Sequence, residues 1–150
     1  TQHMIMNGMD VTGDIRSPDI SQKASLISAH AIVRDMLLDM QREIAQEYDV
    51  IMDGRDIGTV VLPKATVKFF LTASPEVRAK RRTKELLEKG QKADYEKILK
   101  DIQQRDYQDT HREVAPLKMT KDSVKLDTSE MTIEEVIAAM KETIAKKVAP

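Results

Sequence analysis

The fold class is decided by the stretch Thr66-Val67-Lys68-Phe69-Phe70-Leu71-Thr72-Ala73-Ser74-Pro75. Its first part is a short apolar run typical of a β-strand, and Ser74-Pro75 then supplies an N-cap and a first helical residue. Two more apolar runs, Asp49–Asp53 and Val124–Asp127, are likewise followed by a helix or by a loop that could cross over. This order of elements predicts an α/β fold with a parallel sheet.

Local signals predict the remaining elements. Asn7-Gly8, between short extended runs, favours a hairpin with a type I′ turn. Capping signals predict helices over 18–28, 74–89 and 94–112 and from Thr132 onward, and a further helix is expected over 31–47. Two apolar stripes are expected to be buried: Val33, Leu37, Met40 and Ile44 on the second helix, and Val136, Ile137, Met140 and Ile144 on the last.

The composition excludes several classes of protein. The 150 residues contain no Cys, which removes disulfides, thiolate metal sites and cysteine nucleophiles and is expected of an intracellular protein. No apolar run reaches the ~18 residues that a membrane span needs. The net charge of -1 gives no global field for nucleic acid, so anion binding must come from local arginines. The five glycines are scattered, and none opens a G-x-x-x-x-G-K-[ST] phosphate loop.

One predicted helix changes character along a single stripe. Ile98, Ile102, Arg105, Asp109 and Arg112 are spaced by four, three, four and three residues, so the stripe begins apolar and ends with three charges. Such a stripe is typical of a helix that runs out of the core into a polar cleft. The alternative is a solvated helix end in which Arg105 and Asp109 form an ordinary i,i+4 ion pair.

Charged residues also follow a predicted strand directly, in Asp53-Gly54-Arg55-Asp56. The carboxyl ends of parallel strands form the edge where open α/β sheets bind ligands. Arg55 is suited to grip a phosphate through its planar fork, whereas a carboxylate here is suited to accept from a base amine or to order a magnesium-bound water. The alternative is an ordinary turn with surface charges.

The densest basic run is Arg78-Ala79-Lys80-Arg81-Arg82-Thr83-Lys84, with five cations in seven residues. Polyphosphate or nucleic acid would be the natural ligand of such a run. A solvated basic face is the alternative.

Two long motifs together carry a resemblance to a known family. They are Asp53-Gly54-Arg55-Asp56-Ile57-Gly58-Thr59-Val60-Val61-Leu62-Pro63 and Arg105-Asp106-Tyr107-Gln108-Asp109-Thr110-His111-Arg112-Glu113-Val114-Ala115-Pro116-Leu117, and both closely resemble those of bacterial cytidylate kinases. The resemblance covers essentially the whole chain, in order. It implies a phosphate-loop (P-loop) nucleoside monophosphate kinase fold. Within that fold, residues 1–47 would be the monophosphate-binding insert, residues 48–150 the C-terminal part of the core, and residues 78–94 approximately the helical lid.

The same resemblance implies an activity and a role for each matching residue. The activity is phosphorylation of CMP and dCMP by ATP with Mg²⁺, without a covalent nucleophile. By resemblance, Ser25, Arg34 and Asp56 contact the cytosine, Arg55 and Arg112 hold the monophosphate, and Asp109 binds the sugar hydroxyl. Arg105 lies near the transferring phosphoryl group, Arg81 and Arg82 belong to the lid over ATP, and Asp53 is the acid near magnesium, acting through water.

The front of the family's pattern is not found in these 150 residues. In the family, the phosphate loop opens the chain on a central strand that the runs Asp49–Asp53 and Thr66–Leu71 would flank. We therefore expect the sequence to be the C-terminal portion of a longer kinase, inactive by itself, with the central strand position open to another segment or chain. The intact enzyme is expected to be a cytoplasmic monomer that binds neither nucleic acid nor membranes.

Other functions remain open at this stage. One is a regulatory module that holds a nucleotide through Arg34, Arg55 and Arg112 without catalysis. Another is a basic adaptor that binds RNA through the run 78–84. Among enzymes, a kinase for UMP or AMP is the nearest alternative.

Overall fold

The computed structural model describes residues 3–28 and 30–148. The chain divides into two compact units, Thr1–Val50 and Ile51–Pro150. No helix in the described ranges is both long and apolar enough to cross a membrane.

The first unit consists of a small hairpin and two helices. The strands β1 (Ile5–Met6) and β2 (Met9–Asp10) are antiparallel. Asn7 and Gly8 between them have φ values of 50° and 79°, which confirms the predicted type I′ turn. The helices are α1 (Pro18–Ile27) and α2 (Ala31–Glu47). Ser17 caps α1, since its Oγ accepts a hydrogen bond from the Ile20 amide at 3.3 Å.

The apolar stripe of α2 is not buried as predicted. Leu37, Met40 and Ile44 are exposed, and none of the residues of α2 is buried. A unit of about 50 residues has too little other structure to cover a 17-residue helix, because small units bury a low fraction of their surface.

The second unit is built on two parallel strands, as predicted. β3 (Phe69–Thr72) pairs with β4 (Val124–Asp127), with Phe69 opposite Val124 and Thr72 opposite Asp127. The helices are α3 (Pro75–Glu88), α4 (Tyr95–His111) and α5 (Ile133–Val148). Both α3 and α4 lie in the connection between the two strands, and they pack against each other.

The caps of this unit agree with the sequence. Ser74 Oγ accepts from the Val77 amide, and Asp94 Oδ1 accepts from the Lys97 amide, at 3.2 and 3.1 Å. At the start of α5, the Thr132 amide donates to Glu135 Oε2 at 2.8 Å and the Glu135 amide donates to Thr132 Oγ1 at 3.2 Å. The predicted capping box is therefore confirmed.

The predicted apolar face of α5 is only partly covered. Val136 and Met140 are half-buried, whereas Ile137 and Ile144 are exposed. The small two-stranded sheet offers too little surface to cover the whole face of the helix.

The predicted strand over Asp49–Asp53 does not form. The structure assigns no regular element to these five residues, and Ile51 is 98% exposed. A strand is defined by its hydrogen-bonded neighbour, and no segment within 3–28 or 30–148 pairs with this one. The predicted run Thr66–Leu71 shortens for the same reason to Phe69–Thr72, the residues that β4 pairs with.

Two of the buried residues in the second unit are charged. The buried apolar side chains within the described ranges are Val61, Ala73 and Ala79, and they are joined by Lys68 and Asp109. Lys68 Nζ donates to the Pro63 carbonyl and pairs with Asp122 Oδ2 at 2.7 Å. Lys68 is 8% exposed, whereas the Asp122 side chain lies largely in solvent.

The Lys68–Asp122 pair predicts a defined acid sensitivity. Hydrogen bonds from Lys68 and then Thr120 lower the pKa of Asp122 from 3.8 to about 2. Because the pKa is depressed on folding, the stability that Asp122 contributes is present above pH ~4 and is lost as the pH falls towards ~2. We expect Asp122→Asn to lower the free energy of unfolding at pH 7 and to flatten its decline between pH 4 and 2. Denaturant titrations across this range test it, and curves of equal slope for both proteins would contradict it.

Candidate functional site

The centre of the candidate site is the carboxylate of Asp109, in the last turn of α4. It is 6% exposed and faces three arginines. Arg55 Nε donates to Asp109 Oδ2 at 2.9 Å, Arg105 Nε lies 3.9 Å from the same oxygen, and Arg112 Nη1 lies 4.0 Å from Oδ1. The structure thus brings together the three predicted catalytic arginines around one buried acid.

The helix accounts for two of these arginines. Arg105 and Arg112 stand four residues before and three residues after Asp109, and at those offsets side chains share one face of a helix. A fully solvated helix end is excluded, since Asp109 is buried and also binds an arginine from outside the helix. The predicted change from an apolar to a charged stripe is therefore found in α4, where the half-buried Ile98 and Ile102 are followed by the buried Asp109.

Arg112 is oriented by the loop that follows α4. Its Nε donates to the Ala115 carbonyl at 2.8 Å, and its Nη2 donates to the same oxygen. Ala115 has a φ of 47°, a left-handed conformation that costs a non-glycine residue about 1–2 kcal/mol. The loop holds this strained residue where its carbonyl fixes the guanidinium.

Arg55 reaches Asp109 from the loop after residue 53. Gly54 permits a close approach in that loop, since a Cβ at this position would lie 2.9 Å from Cγ1 of Ile57. A compact turn over Ile57–Val61 follows, in which the Asp56 carbonyl accepts from the amides of residues 59, 60 and 61 at 2.8–3.3 Å. The half-buried Asp56 therefore begins a hydrogen-bonded turn directly after Arg55.

The site gathers positive charge around one acid. Three guanidinium groups share the carboxylate of Asp109. The Arg55 and Arg105 side chains are 42% and 46% exposed, which leaves both open to a ligand. A phosphate monoester carries about −1.5 to −2 at neutral pH and is an anion that exposed guanidinium groups bind well.

Three arginines of the basic run 78–84 have partners inside the second unit. Arg78 forms a two-pronged pair with Asp106, which raises the pKa of the arginine, and its Nε donates to the Ala73 carbonyl at 3.0 Å. Arg81 Nη2 donates to the carbonyls of Thr128 and Met131. Arg82 Nη1 lies 2.7 Å from Glu85 Oε2. These arginines are thus held by the protein itself, and a polyphosphate ligand for the run stays a prediction.

Of the remaining predicted site residues, Arg34 and Ser25 belong to the first unit and Asp53 to the second. Arg34, in the first turn of α2, donates through Nη1 to the Ser28 carbonyl at 2.8 Å, at the end of α1. Ser25 lies in α1, and its side chain is outside the described part of the structure. Asp53 is exposed, and no group of three or more acidic or histidine side chains within the described ranges is arranged to hold a metal.

Sequence reasoning missed two residues that shape the site. The importance of Lys68 could have been predicted, because a lysine between Val67 and Phe69 interrupts an apolar strand. The left-handed conformation of Ala115 could not have been predicted, since a residue before proline is normally extended.

The arginine cluster predicts a stability effect at Asp109. In Asp109→Asn, three guanidinium groups lose their shared counter-charge, and we expect the free energy of unfolding to fall by about 1–3 kcal/mol. Sulfate should restore more stability to this variant than to the wild type, because an anion can replace the lost charge. Urea unfolding with and without sulfate measures both effects. Asp101→Asn, an exposed position on the same helix, is the control, and an equal effect of the two variants would contradict the prediction.

Comparison with known proteins identifies the family to which the chain belongs. The family profile for cytidylate kinase matches residues 1–146. Proteins named cytidylate kinase from Clostridium tetani, Lactobacillus johnsonii and Clostridium botulinum are 52%, 51% and 53% identical over 134, 146 and 135 residues. The aligned regions cover 89%, 97% and 90% of this chain but 59%, 64% and 62% of those relatives, so the chain spans about three fifths of their length. By sequence over nearly its whole length, the chain belongs to the cytidylate kinase family.

Proposed function

We propose that this chain provides the CMP site of an enzyme that transfers the γ-phosphoryl group of ATP to CMP and dCMP. The observation that carries the proposal is the cluster of Arg55, Arg105 and Arg112 around Asp109. A nucleoside monophosphate brings a phosphate dianion, which converging guanidinium groups are suited to bind. Membership in the family supplies the reaction class.

The monophosphate would rearrange the pairs around Asp109. Arg55 and Arg112 would hold the phosphate. The Arg55 guanidinium would turn from the Asp109 carboxylate to the phosphate, which carries more negative charge. The Asp109 carboxylate would then accept a hydrogen bond from a sugar hydroxyl. One acidic residue would in this way keep the arginines in place before substrate binds and bind the sugar afterwards.

Arg105 would stabilise the phosphoryl group during transfer. A phosphate oxygen of CMP attacks the γ-phosphorus, the bond to the bridging oxygen breaks, and ADP leaves. Negative charge spreads over the equatorial oxygens in this transition state, and fixed guanidinium groups stabilise it without a covalent intermediate. Arg105 is suited to this role because it is nearly half exposed at the rim of the cluster.

The base would be selected by Asp56 together with Ser25 and Arg34. A carboxylate accepts a hydrogen bond from the exocyclic amine of cytosine, whereas uracil presents a carbonyl oxygen at the same position and would be repelled. Asp56 begins the turn Ile57–Val61, so its main chain is held in place beside Arg55. By the family resemblance, Ser25 and Arg34 would be further contacts of the base.

ATP would be bound mainly by groups other than the arginine cluster and the base-selecting residues. The 150 residues contain no G-x-x-x-x-G-K-[ST] motif, and the curated relatives are longer than this chain. We propose that a phosphate loop on a central strand is supplied by another segment, and that residues 1–150 alone are inactive. Arg81 and Arg82, in a lid over about 78–94, would leave their present partners to meet the ATP phosphates.

Magnesium fits this chain only as a companion of ATP. Mg²⁺ usually takes one or two carboxylates together with phosphates and waters. The single exposed carboxylate of Asp53 is compatible with an indirect contact through water, and it would help to orient the metal that ATP carries. In the intact, cytoplasmic and monomeric enzyme, the residues of this chain would therefore bind and orient CMP, while the metal neutralises the ATP phosphates.

The base assignment predicts a selective loss. In Asp56→Ala, we expect CMP affinity to fall about tenfold or more, because a charge-assisted hydrogen bond is worth about 1.5–3 kcal/mol. UMP affinity should stay the same or rise, because the repulsion between the carboxylate and the uracil carbonyl oxygen is removed. Isothermal titration calorimetry with CMP, UMP and AMP measures the affinity of the variant and of the wild type for each nucleotide. Asp53→Ala, three residues earlier in the same loop, is the matched control and should keep the wild-type preference for CMP over UMP. Equal losses for CMP and UMP would contradict the cytosine assignment.

Turnover separates the proposed kinase from a module that only binds nucleotides. Residues 1–150 are expected to show negligible ADP formation from ATP and CMP. Joining an N-terminal segment with a phosphate loop from one of the longer relatives should give CMP-dependent ADP formation, which Arg105→Met then abolishes. CMP binding without any turnover in the joined protein would favour the regulatory module, and rapid turnover by residues 1–150 alone would contradict the expected need for that segment.

A further inference from the structure

We infer that Lys68 is a positioning residue that holds the turn beginning at Asp56 and thereby fixes the carboxylate proposed to select cytosine. The inference rests on the proposed function for its consequence, base selection. Its structural part, the fixing of the turn, stands on the contacts of Lys68 alone.

Lys68 touches the turn region at two places. Its Nζ donates to the Pro63 carbonyl, two residues beyond the end of the turn Ile57–Val61. Its aliphatic stem passes Gly58 inside the turn, where a Cβ would lie 3.4 Å from Lys68 Cδ. That distance is ordinary van der Waals contact, so the stem of Lys68 lies close beside the turn without crowding it.

The hydrogen bonds of the turn connect these contacts to Asp56. The Leu62 amide donates to the Ile57 carbonyl at 2.7 Å, and the Val60 amide donates to the Asp56 carbonyl at 2.8 Å. Val61, between them, is buried. A shift of Pro63 would therefore pass through two short hydrogen bonds to the main chain of Asp56.

The opposite side of this segment is held by a second charged group. Arg55 binds the buried Asp109 on α4, whereas Pro63 is bound by Lys68 just before β3. Asp56 lies between the two anchors and next to the first. Loss of the Lys68 anchor would leave Arg55 on the phosphate-binding cluster but remove one of the contacts that hold the turn, so we expect base selection to suffer more than phosphate binding.

Burial of a lysine here requires an explanation beyond stability. An ammonium group at 8% exposure loses most of its hydration, and an apolar side chain of similar length often stabilises such a site as well or better. A methionine could fill the space of the stem but could not donate to the Pro63 carbonyl. The bond to Pro63 is the property that only the lysine supplies.

The test compares Lys68→Met with Asp122→Asn. Lys68→Met removes the hydrogen bond to the Pro63 carbonyl, and the loss of one such bond corresponds to about a five- to tenfold change in an equilibrium constant. We expect that variant to lose CMP affinity by this factor, to keep its UMP affinity within twofold, and to exchange the amide protons of residues 59–62 faster. Asp122→Asn keeps the bond to Pro63, so CMP preference and exchange at 59–62 should stay at wild-type values.

The two variants should rank in the opposite order for stability. Asp122→Asn leaves a buried ammonium without its counter-charge and should unfold at lower urea concentration than Lys68→Met. The double variant K68M/D122N removes both charges. It should recover stability relative to Asp122→Asn while keeping the altered nucleotide preference, and it serves as the folded background if either single variant proves too unstable.

The outcomes are distinct. Wild-type CMP preference and wild-type exchange at residues 59–62 in Lys68→Met and in the double variant would overturn the inference. So would a loss of preference that follows stability, with Asp122→Asn affected most. If the wild-type protein binds CMP and UMP equally, the proposed base selection fails and the specificity role of Lys68 fails with it, whereas hydrogen exchange still decides whether Lys68 holds the turn.

Discussion

The carboxylate of Asp109 is the constraint on which the second unit depends. A buried acid is stable only with charged partners, and here the hydrogen-bonded partner comes from a loop 54 residues earlier in the chain. The pair between Arg55 and Asp109 therefore ties the loop after residue 53 to the last turn of α4. The same contact assembles the proposed substrate cluster, so the requirement of folding and the requirement of binding are met by one interaction.

Charged groups organise this unit because its apolar core is small. The buried apolar side chains within the described ranges are one valine and two alanines, which bury little area each. Asp109 and Lys68 add two buried charges, and each binds one end of the segment from Arg55 to Pro63. The proposed site is thus positioned by directional bonds to charged groups, which define geometry more narrowly than apolar packing does.

The sequence predicted local structure well and long-range pairing less well. The caps at Ser74, Asp94 and Thr132 were predictable because each bonds to an amide three residues away. The predicted strand over Asp49–Asp53 does not form, because a strand depends on a hydrogen-bonded neighbour that the local sequence pattern cannot reveal. The convergence of Arg105, Asp109 and Arg112 could be predicted from helical spacing. The burial of Asp109 and the left-handed backbone of Ala115 could not, because both depend on tertiary contacts.

The two groups of arginines show that density along the sequence does not predict how charges pair in the fold. The run 78–84 is dense, yet Arg78 pairs with Asp106 28 residues away, and Arg81 binds main-chain carbonyls beyond β4. Arg55, Arg105 and Arg112 are scattered along the chain, yet they share a single carboxylate. Because three guanidinium groups converge on one point only in the scattered group, that group is the one we propose to bind a phosphate dianion.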